Sequence, residues 1–283
     1  MSDTADYPLA RTRDLEAELN YIAAGIERPR TYTYAPPDDA PRSNVVNDLH
    51  RVAIRDARAT TTRPDLDREG FALIRHRSAV QDFWDDTEIR ARFYPEVEAA
   101  IIAATGADEV FIFDHTLRRR VAGAEDRGGD LPRQPVPRVH VDHTERSGPQ
   151  RVRDLLPNTR ATELLRGRVQ IINLWRPITG PLRDWPLAVA DARTVEPTDL
   201  VPSDLVYQHR VGETYAVRYN PAHRWFYVPD MRTDEALLLK CYDSATDGRA
   251  RFAPHTAFRD PTADDTVRPR ESIEVRTLVF HAH

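Results

Sequence analysis

In the C-terminal half of the chain, short runs of apolar residues alternate with Pro, Gly and Asp punctuation, and helical stripes are rare. The runs Val139–His143, Val169–Trp175, Leu187–Asp191, Thr214–Tyr219, Trp225–Tyr227, Leu237–Tyr242 and Ser272–Phe280 each predict a strand. Many short strands separated by turn residues predict a sandwich or barrel. Upstream, Gly70-Phe71-Ala72-Leu73-Ile74 predicts a strand after a turn, and Val110-Phe111-Ile112-Phe113-Asp114 a buried one. The stretch between them reads differently. Ser78 opens a helical region, and residues 85–105 read as helix, with Pro95 starting a second segment and Gly106 ending it. Near the N-terminus Leu15, Leu19, Ile22 and Ile26 fall at helical spacing and predict a helix. Pro36-Pro37-Asp38-Asp39 and Pro41 then interrupt regular structure. Residues 121–137, rich in Gly, Pro and charge, predict a loop. The expected organisation is an N-terminal extension, 1–44, on a single mainly β domain, 45–283, of jelly-roll type with flanking helices.

Composition narrows the partners more than the fold. Of 283 residues, 40% are hydrophobic and 30% charged, as in a soluble globular protein. No apolar run approaches the about 20 residues a membrane helix needs, so no membrane span is expected. The start, Met-Ser-Asp-Thr-Ala-Asp, has neither a basic nor an apolar stretch, which predicts a cytoplasmic protein. A net charge of −5 offers no general attraction to nucleic acid. One cysteine, Cys241, excludes an internal disulfide and a thiolate zinc cage. Lys240 is the single lysine, so arginine carries nearly all the positive charge. No glycine-rich phosphate loop and no internal repeat occur.

The sharpest chemical feature is His140-Val141-Asp142. In a strand, residues two apart point to one face, so an imidazole and a carboxylate can reach one metal. That donor pair suits ferrous iron when a third protein ligand arrives from elsewhere, leaving open positions for oxygen chemistry. A lone His-x-Asp also occurs as a simple surface pair. The functional reading gains weight from His255, in Phe252-Ala253-Pro254-His255, and from the strand that begins Pro269-Arg270-Glu271-Ser272. An arginine beside a serine can hold a carboxylate by paired hydrogen bonds with a hydroxyl adding a third. A metal triad with a carboxylate clamp is the arrangement of a 2-oxoglutarate-dependent oxygenase.

Arg270 and Arg276 compete for the clamp role. They share a strand face but stand about 20 Å apart at roughly 3.3 Å per residue, so one small acid cannot use both. Arg270 has Ser272 as its same-face neighbour, whereas Arg276 has Glu274, which competes for its guanidinium. The sequence favours Arg270.

Several segments resemble a family of fungal and bacterial hydroxylase/desaturases that includes gibberellin-desaturase-like proteins and a cephamycin methoxylation component. The most telling are Asn173-Leu174-Trp175-Arg176-Pro177, Trp185-Pro186-Leu187-Ala188, Tyr242-Asp243-Ser244 and 269–276, within a likeness that covers about residues 45–283. The resemblance implies a double-stranded β-helix, ferrous iron held by His140, Asp142 and His255, and 2-oxoglutarate with O2 as cosubstrates. It further implies Arg270 and Ser272 at the 2-oxoglutarate carboxylate, and hydroxylation, desaturation or cyclisation of a small molecule of secondary metabolism. The alternative is a non-catalytic β-sandwich binding or accessory protein.

Other residues carry plainer expectations. His143 is expected on the strand face opposite the pair, and His281 and His283 at a frayed end. His115 is open between lining the site and a structural hydrogen bond. Trp175 and Trp185 pack the core or touch substrate. Arg176 either faces an acidic ligand or ties a loop carbonyl. Cys241 reads as a small buried residue. The 121–137 loop is either a lid, hinged by Gly123, Gly128 and Gly129, or a plain surface loop.

Overall fold

The computed structural model describes residues 12–26, 28–37, 40–124, 132–264 and 266–282. Its first strands are β1 (Leu15–Ile22), β2 (Arg30–Tyr32), β3 (Asn47–Asp56) and β4 (Phe71–Arg75). A helical stretch follows: α1 (Asp86–Glu88), a π-helical turn Ile89–Phe93, and α2 (Tyr94–Thr105). Then come β5 (Glu109–Arg119), β6 (His140–Val141), α3 (Ser147–Leu155) and α4 (Asn158–Leu164). The remainder is β7 (Val169–Pro177), β8 (Leu187–Ala190), β9 (Leu200–Val206), β10 (Val211–Val217), β11 (Trp225–Tyr227), β12 (Glu235–Asp243), β13 (His255–Ala257) and β14 (Glu271–Phe280).

Two sheets form. One has nine strands in the order β1-β3-β11-β8-β13-β6-β10-β9-β2, the other five in the order β4-β12-β7-β14-β5. Alternation along each strand decides which side chains meet between them. Val141, Val189 and Phe226 from the first sheet pack with Ile171, Trp175, Leu237, Leu239, Leu278 and Phe280 from the second. The alternate residues Ile172, Leu174, Leu238, Ile273 and Val275 face the other way, under Phe93, Val97 and Ile101 of the helical stretch. The helical stretch therefore caps the outside of the five-stranded sheet, and α2 ends at Gly106 in a left-handed conformation (φ 65°). The result is the mainly β jelly-roll with flanking helices that the punctuation predicts. No helix among the described residues is long and apolar enough to cross a membrane.

The expected N-terminal helix is a strand. Ala17, Leu19 and Tyr21 are buried while Glu16 and Glu18 are exposed, a period of two that the helical spacing of Leu15, Leu19 and Ile22 conceals. Pairing with β3 over its whole length settles the choice. The nine-stranded sheet also curls on itself, since Val139 N donates to Asn20 O at 2.9 Å and Ile22 bridges Arg218. Strands β2, β3, β9 and β13 and helices α3 and α4 are absent from the sequence reading.

Candidate active site

His140 and His255 lie directly opposite each other on the paired strands β6 and β13. Their rings stand 4.5 Å apart, centroid to centroid. Strand β6 is only two residues long, so Asp142 lies just past it, where the chain bends. The carboxylate still converges, with Oδ1 3.4 Å from His140 Nε2. One donor atom from each of His140, Asp142 and His255 falls within 4.8 Å of the others.

Three details show that this donor set suits a divalent metal. His140 Nδ1 lies 2.8 Å from the Arg138 carbonyl and His255 Nδ1 3.0 Å from the Ala253 carbonyl. A carbonyl only accepts, so both Nδ1 atoms carry the proton and both Nε2 lone pairs are free. Asp142 has one oxygen held, because Asn173 Nδ2 donates to Oδ2 at 2.8 Å, and the other turned to the histidines. Burial alone raises the Asp142 pKa. The neighbouring His140 and the charge of Arg276 outweigh it and hold the group well below the usual carboxylate range. His255, wholly enclosed, is pushed down by burial and then by His140, which favours the neutral, ligating form.

The facing wall is the five-stranded sheet, where two arginines of β14 and its entry differ sharply. Arg276 Nη1 is 2.8 Å from Asp114 Oδ1, and Nη2 donates to Thr116 Oγ1 at 2.7 Å. It also stands 3.6 Å from both Asp142 Oδ2 and Glu274 Oε2. Burial opposes its charge, but Glu274, Asp142 and Asp114 together raise its pKa. Arg270 is 2% exposed and has no carboxylate within ion-pair distance among the described residues. Its Nε donates to Ser272 Oγ at 3.2 Å, its Nη1 to the Trp185 carbonyl at 2.7 Å, and its guanidinium lies 4.9 Å above the Trp175 ring. Burial, and then Arg118, pushes its pKa down to about 9. A fully enclosed guanidinium in that state favours an incoming anion.

The whole chain has relatives. A family model described as oxidoreductase/YMDC permease-like domain matches residues 19–280. The hydroxylase/desaturase efuI of Hormonema carpetanum is 35% identical over 249 residues, covering 81% of this chain and 83% of that protein. The Fe(II)/2-oxoglutarate-dependent dioxygenase nvfI of Aspergillus novofumigatus is 32% identical, covering 94% and 96%. A solved structure of the iron and alpha-ketoglutarate-dependent endoperoxidase NvfI superposes with a TM-score of 0.84 at 29% identity, over 97% of this chain and all of that one. The chain belongs to the hydroxylase/desaturase family of Fe(II)/2-oxoglutarate-dependent dioxygenases.

In this family member the remaining expectations fall out as follows. Trp175 is 2% exposed and forms the floor beneath Arg270. Trp185 adopts a left-handed backbone (φ 47°), rare for a bulky residue, with its carbonyl on Arg270. Arg176 ties carbonyls, donating to those of Thr233, His76 and Pro177. His115 accepts or donates to Tyr94 Oη at 2.9 Å on the helix side of the sheet, a structural role. His281 bonds Gln170 at 2.9 Å, and His283 lies outside the described residues. Cys241 is buried, and its thiol, raised by burial, lies against the Asp142 N–H.

His143 departs from its expectation. With β6 ending at Val141, strict alternation stops, and His143 is half-buried close to Asp142, Arg151 and Arg276. Of the 121–137 loop, residues 125–131, with Gly128 and Gly129, lie outside the described residues. The described part binds back to the site strands: Arg118 Nη1 donates to the Gln134 carbonyl, and Ala257 N to that of Val136. Asn173, fully buried, was read only within a family-like segment and Glu274 only as a competitor for Arg276, so their place beside the triad escaped the sequence reading. Asn173 Nδ2 donates to Glu274 Oε1 at 3.0 Å as well as to Asp142. Their signal was available, as lone polar residues at inward positions of otherwise apolar strands.

Proposed function

We propose that this protein is an Fe(II)/2-oxoglutarate-dependent oxygenase that hydroxylates, desaturates or cyclises a small molecule of secondary metabolism, with His140, Asp142 and His255 holding the iron. The observation that carries the reading is the pair of imidazoles whose Nδ1–H groups are fixed on backbone carbonyls, so that both Nε2 atoms face the free oxygen of Asp142. Iron bound there supplies oxygen activation and hydrogen-atom abstraction from substrate, with 2-oxoglutarate as the reductant.

The chain's own residues orient and protect. Backbone carbonyls at Arg138 and Ala253 keep the two imidazoles neutral and aimed. Arg270, with the Ser272 hydroxyl beside it, takes the far carboxylate of 2-oxoglutarate. The Trp175 face under the guanidinium excludes water from that ion pair, which strengthens it. Arg276 acts otherwise: its charge is spent on Asp114, Asp142 and Glu274, so it stiffens the acidic side of the triad. Anaerobic addition of ferrous iron and 2-oxoglutarate should give a weak visible charge-transfer band, and succinate release should follow on admission of oxygen and substrate. His255→Ala should abolish both while far-UV circular dichroism stays unchanged. Full iron affinity and activity in His255→Ala would overturn the triad.

A further inference from the structure

Helix α3 starts five residues after Asp142 and carries Arg151 against Phe113 and Asp114 of β5. The Arg151 side chain is only 19% exposed, and its guanidinium sits 4.7 Å from the Phe113 ring centroid. It makes no hydrogen bond to any described residue. The nearest carboxylate oxygen, Asp114 Oδ2, is 4.0 Å away, and the other oxygen of Asp114 is already bound by Arg276 at 2.8 Å. The further charges acting on it are Arg210, Asp154 and Arg276, two of them cations. Its five N–H donors thus belong to a mostly enclosed side chain, keep some contact with water, and are available to a ligand's acceptor.

Its place beside the triad narrows the ligand. Asp114 links Arg151 to Arg276, and Arg276 Nε lies 3.6 Å from Asp142 Oδ2. Arg151 therefore belongs to the triad end of the site. Arg270 is six residues along β14 from Arg276, about 20 Å away at strand spacing, so the carboxylate that Arg270 holds cannot also satisfy Arg151. A planar guanidinium with its fork open matches a carboxylate bidentately. Beside it, Phe113 offers an apolar face.

We infer that Arg151 anchors the substrate: its guanidinium takes a carboxylate of an otherwise apolar small molecule whose body lies along Phe113. This rests on the oxygenase reading above and names the class of substrate it takes. The test uses full-length protein loaded with Mn(II) and 2-oxoglutarate. It is titrated with matched apolar acids and their methyl esters: decanoate, cinnamate, 1-naphthoate and abietate. At least one acid should bind the native protein ten-fold or more tightly than its ester. In Arg151→Met that acid should fall to the level of its ester, with Mn(II) and 2-oxoglutarate affinities within two-fold of native. Arg151→Lys, which keeps the charge but loses the fork, should retain only part of the preference, and it carries the test should Arg151→Met not fold. If no acid outbinds its ester, or if the preference survives unchanged in both variants, Arg151 is not the anchor. Failure of the native protein to bind 2-oxoglutarate at all would instead sink the oxygenase reading, so the two failures are distinct.

Discussion

Lys240 and Asp243, both fully buried on β12, stand 2.8 Å apart, and Asp67 closes on Lys240 from the other side at 2.6 Å. Arg168 binds the same two carboxylates at 2.6 Å each, and Arg249 joins Asp67 to Asp247. Three cations there meet three carboxylates. Across the interior, Arg270 is just as buried and meets none among the described residues. Both arrangements place charge where water is scarce, but only the first is closed. A balanced cluster holds strands together, whereas an unbalanced one is completed by what binds. The same contrast recurs on one strand, between the saturated Arg276 and the unpaired Arg270. Charge balance, more than burial, separates framework from site in this fold.

The sharpest way to break that comparison is to open the closed cluster. Asp243→Asn leaves the buried Lys240 ammonium and Arg168 with one shared carboxylate, Asp67, which is partly in water. Removing one partner of a buried pair costs about 3 kcal/mol, so Tm should fall by several degrees while 2-oxoglutarate affinity stays native. The pH dependence adds a sign. Burial raises the Asp243 pKa, but the Arg168 hydrogen bond and Lys240 outweigh it, and the net shift is downward. A group lowered in the folded state contributes stability that is present above the unfolded carboxylate value and lost as pH falls through the folded one. Native Tm should therefore drop below about pH 4, and Asp243→Asn should show a shallower acid limb. An unchanged Tm would mean the cluster is ornament.

The second prediction sharpens the contrast on β14. Arg270→Ala should raise the 2-oxoglutarate Kd by about 100-fold, or about 2.7 kcal/mol, with iron affinity and Tm little changed. Arg276→Ala should do the reverse. It removes the cation that faces Asp114, Asp142 and Glu274, so metal affinity and stability should fall together. Isothermal titration with Mn(II), then with 2-oxoglutarate, separates the two patterns. A selective loss of 2-oxoglutarate binding in Arg276→Ala alone would move the clamp.

How much of this was legible in the sequence follows from how local each signal is. His140-Val141-Asp142 announced itself because two donors sit within three residues, and the entry to β14 did so through Arg270 and Ser272. Strands such as Val169–Pro177 were readable because every residue is buried and apolar residues dominate, with only Gln170, Asn173 and Arg176 between them. The N-terminal strand was misread because eight residues fit both periods, and only pairing with β3 selects one. β3 itself was missed because Leu49 is exposed and its apolar positions alternate with charge at a sheet edge region. Helices α3 and α4 hide in a charged stretch, and Arg151 hid with them. His143 was misplaced because the alternation rule was carried past the end of a two-residue strand.

Asn173 tests the finest grain of the contrast, since it touches both Asp142 and the Glu274–Arg276 group without bearing charge. Its amide must point Nδ2 at the two carboxylates, because neither can donate to Oδ1 when ionised. That fixes which oxygen of Asp142 is left for metal. An outer hydrogen bond of this kind typically contributes 10- to 100-fold to metal affinity. Here Arg276 also steadies the same oxygen, so Asn173→Ala should cost only about ten-fold in Mn(II) affinity, about 1.4 kcal/mol. Asn173→Asp should do worse than Asn173→Ala, because a third carboxylate would stand against Asp142 and Glu274 where a donor stood before. Arg270 keeps its own contacts in both variants, so 2-oxoglutarate binding to the metal-saturated protein should be close to native. If Asn173→Asp bound Mn(II) more tightly than native, the acidic side of the triad would be short of negative charge. The balance argued for Arg276 would then be wrong.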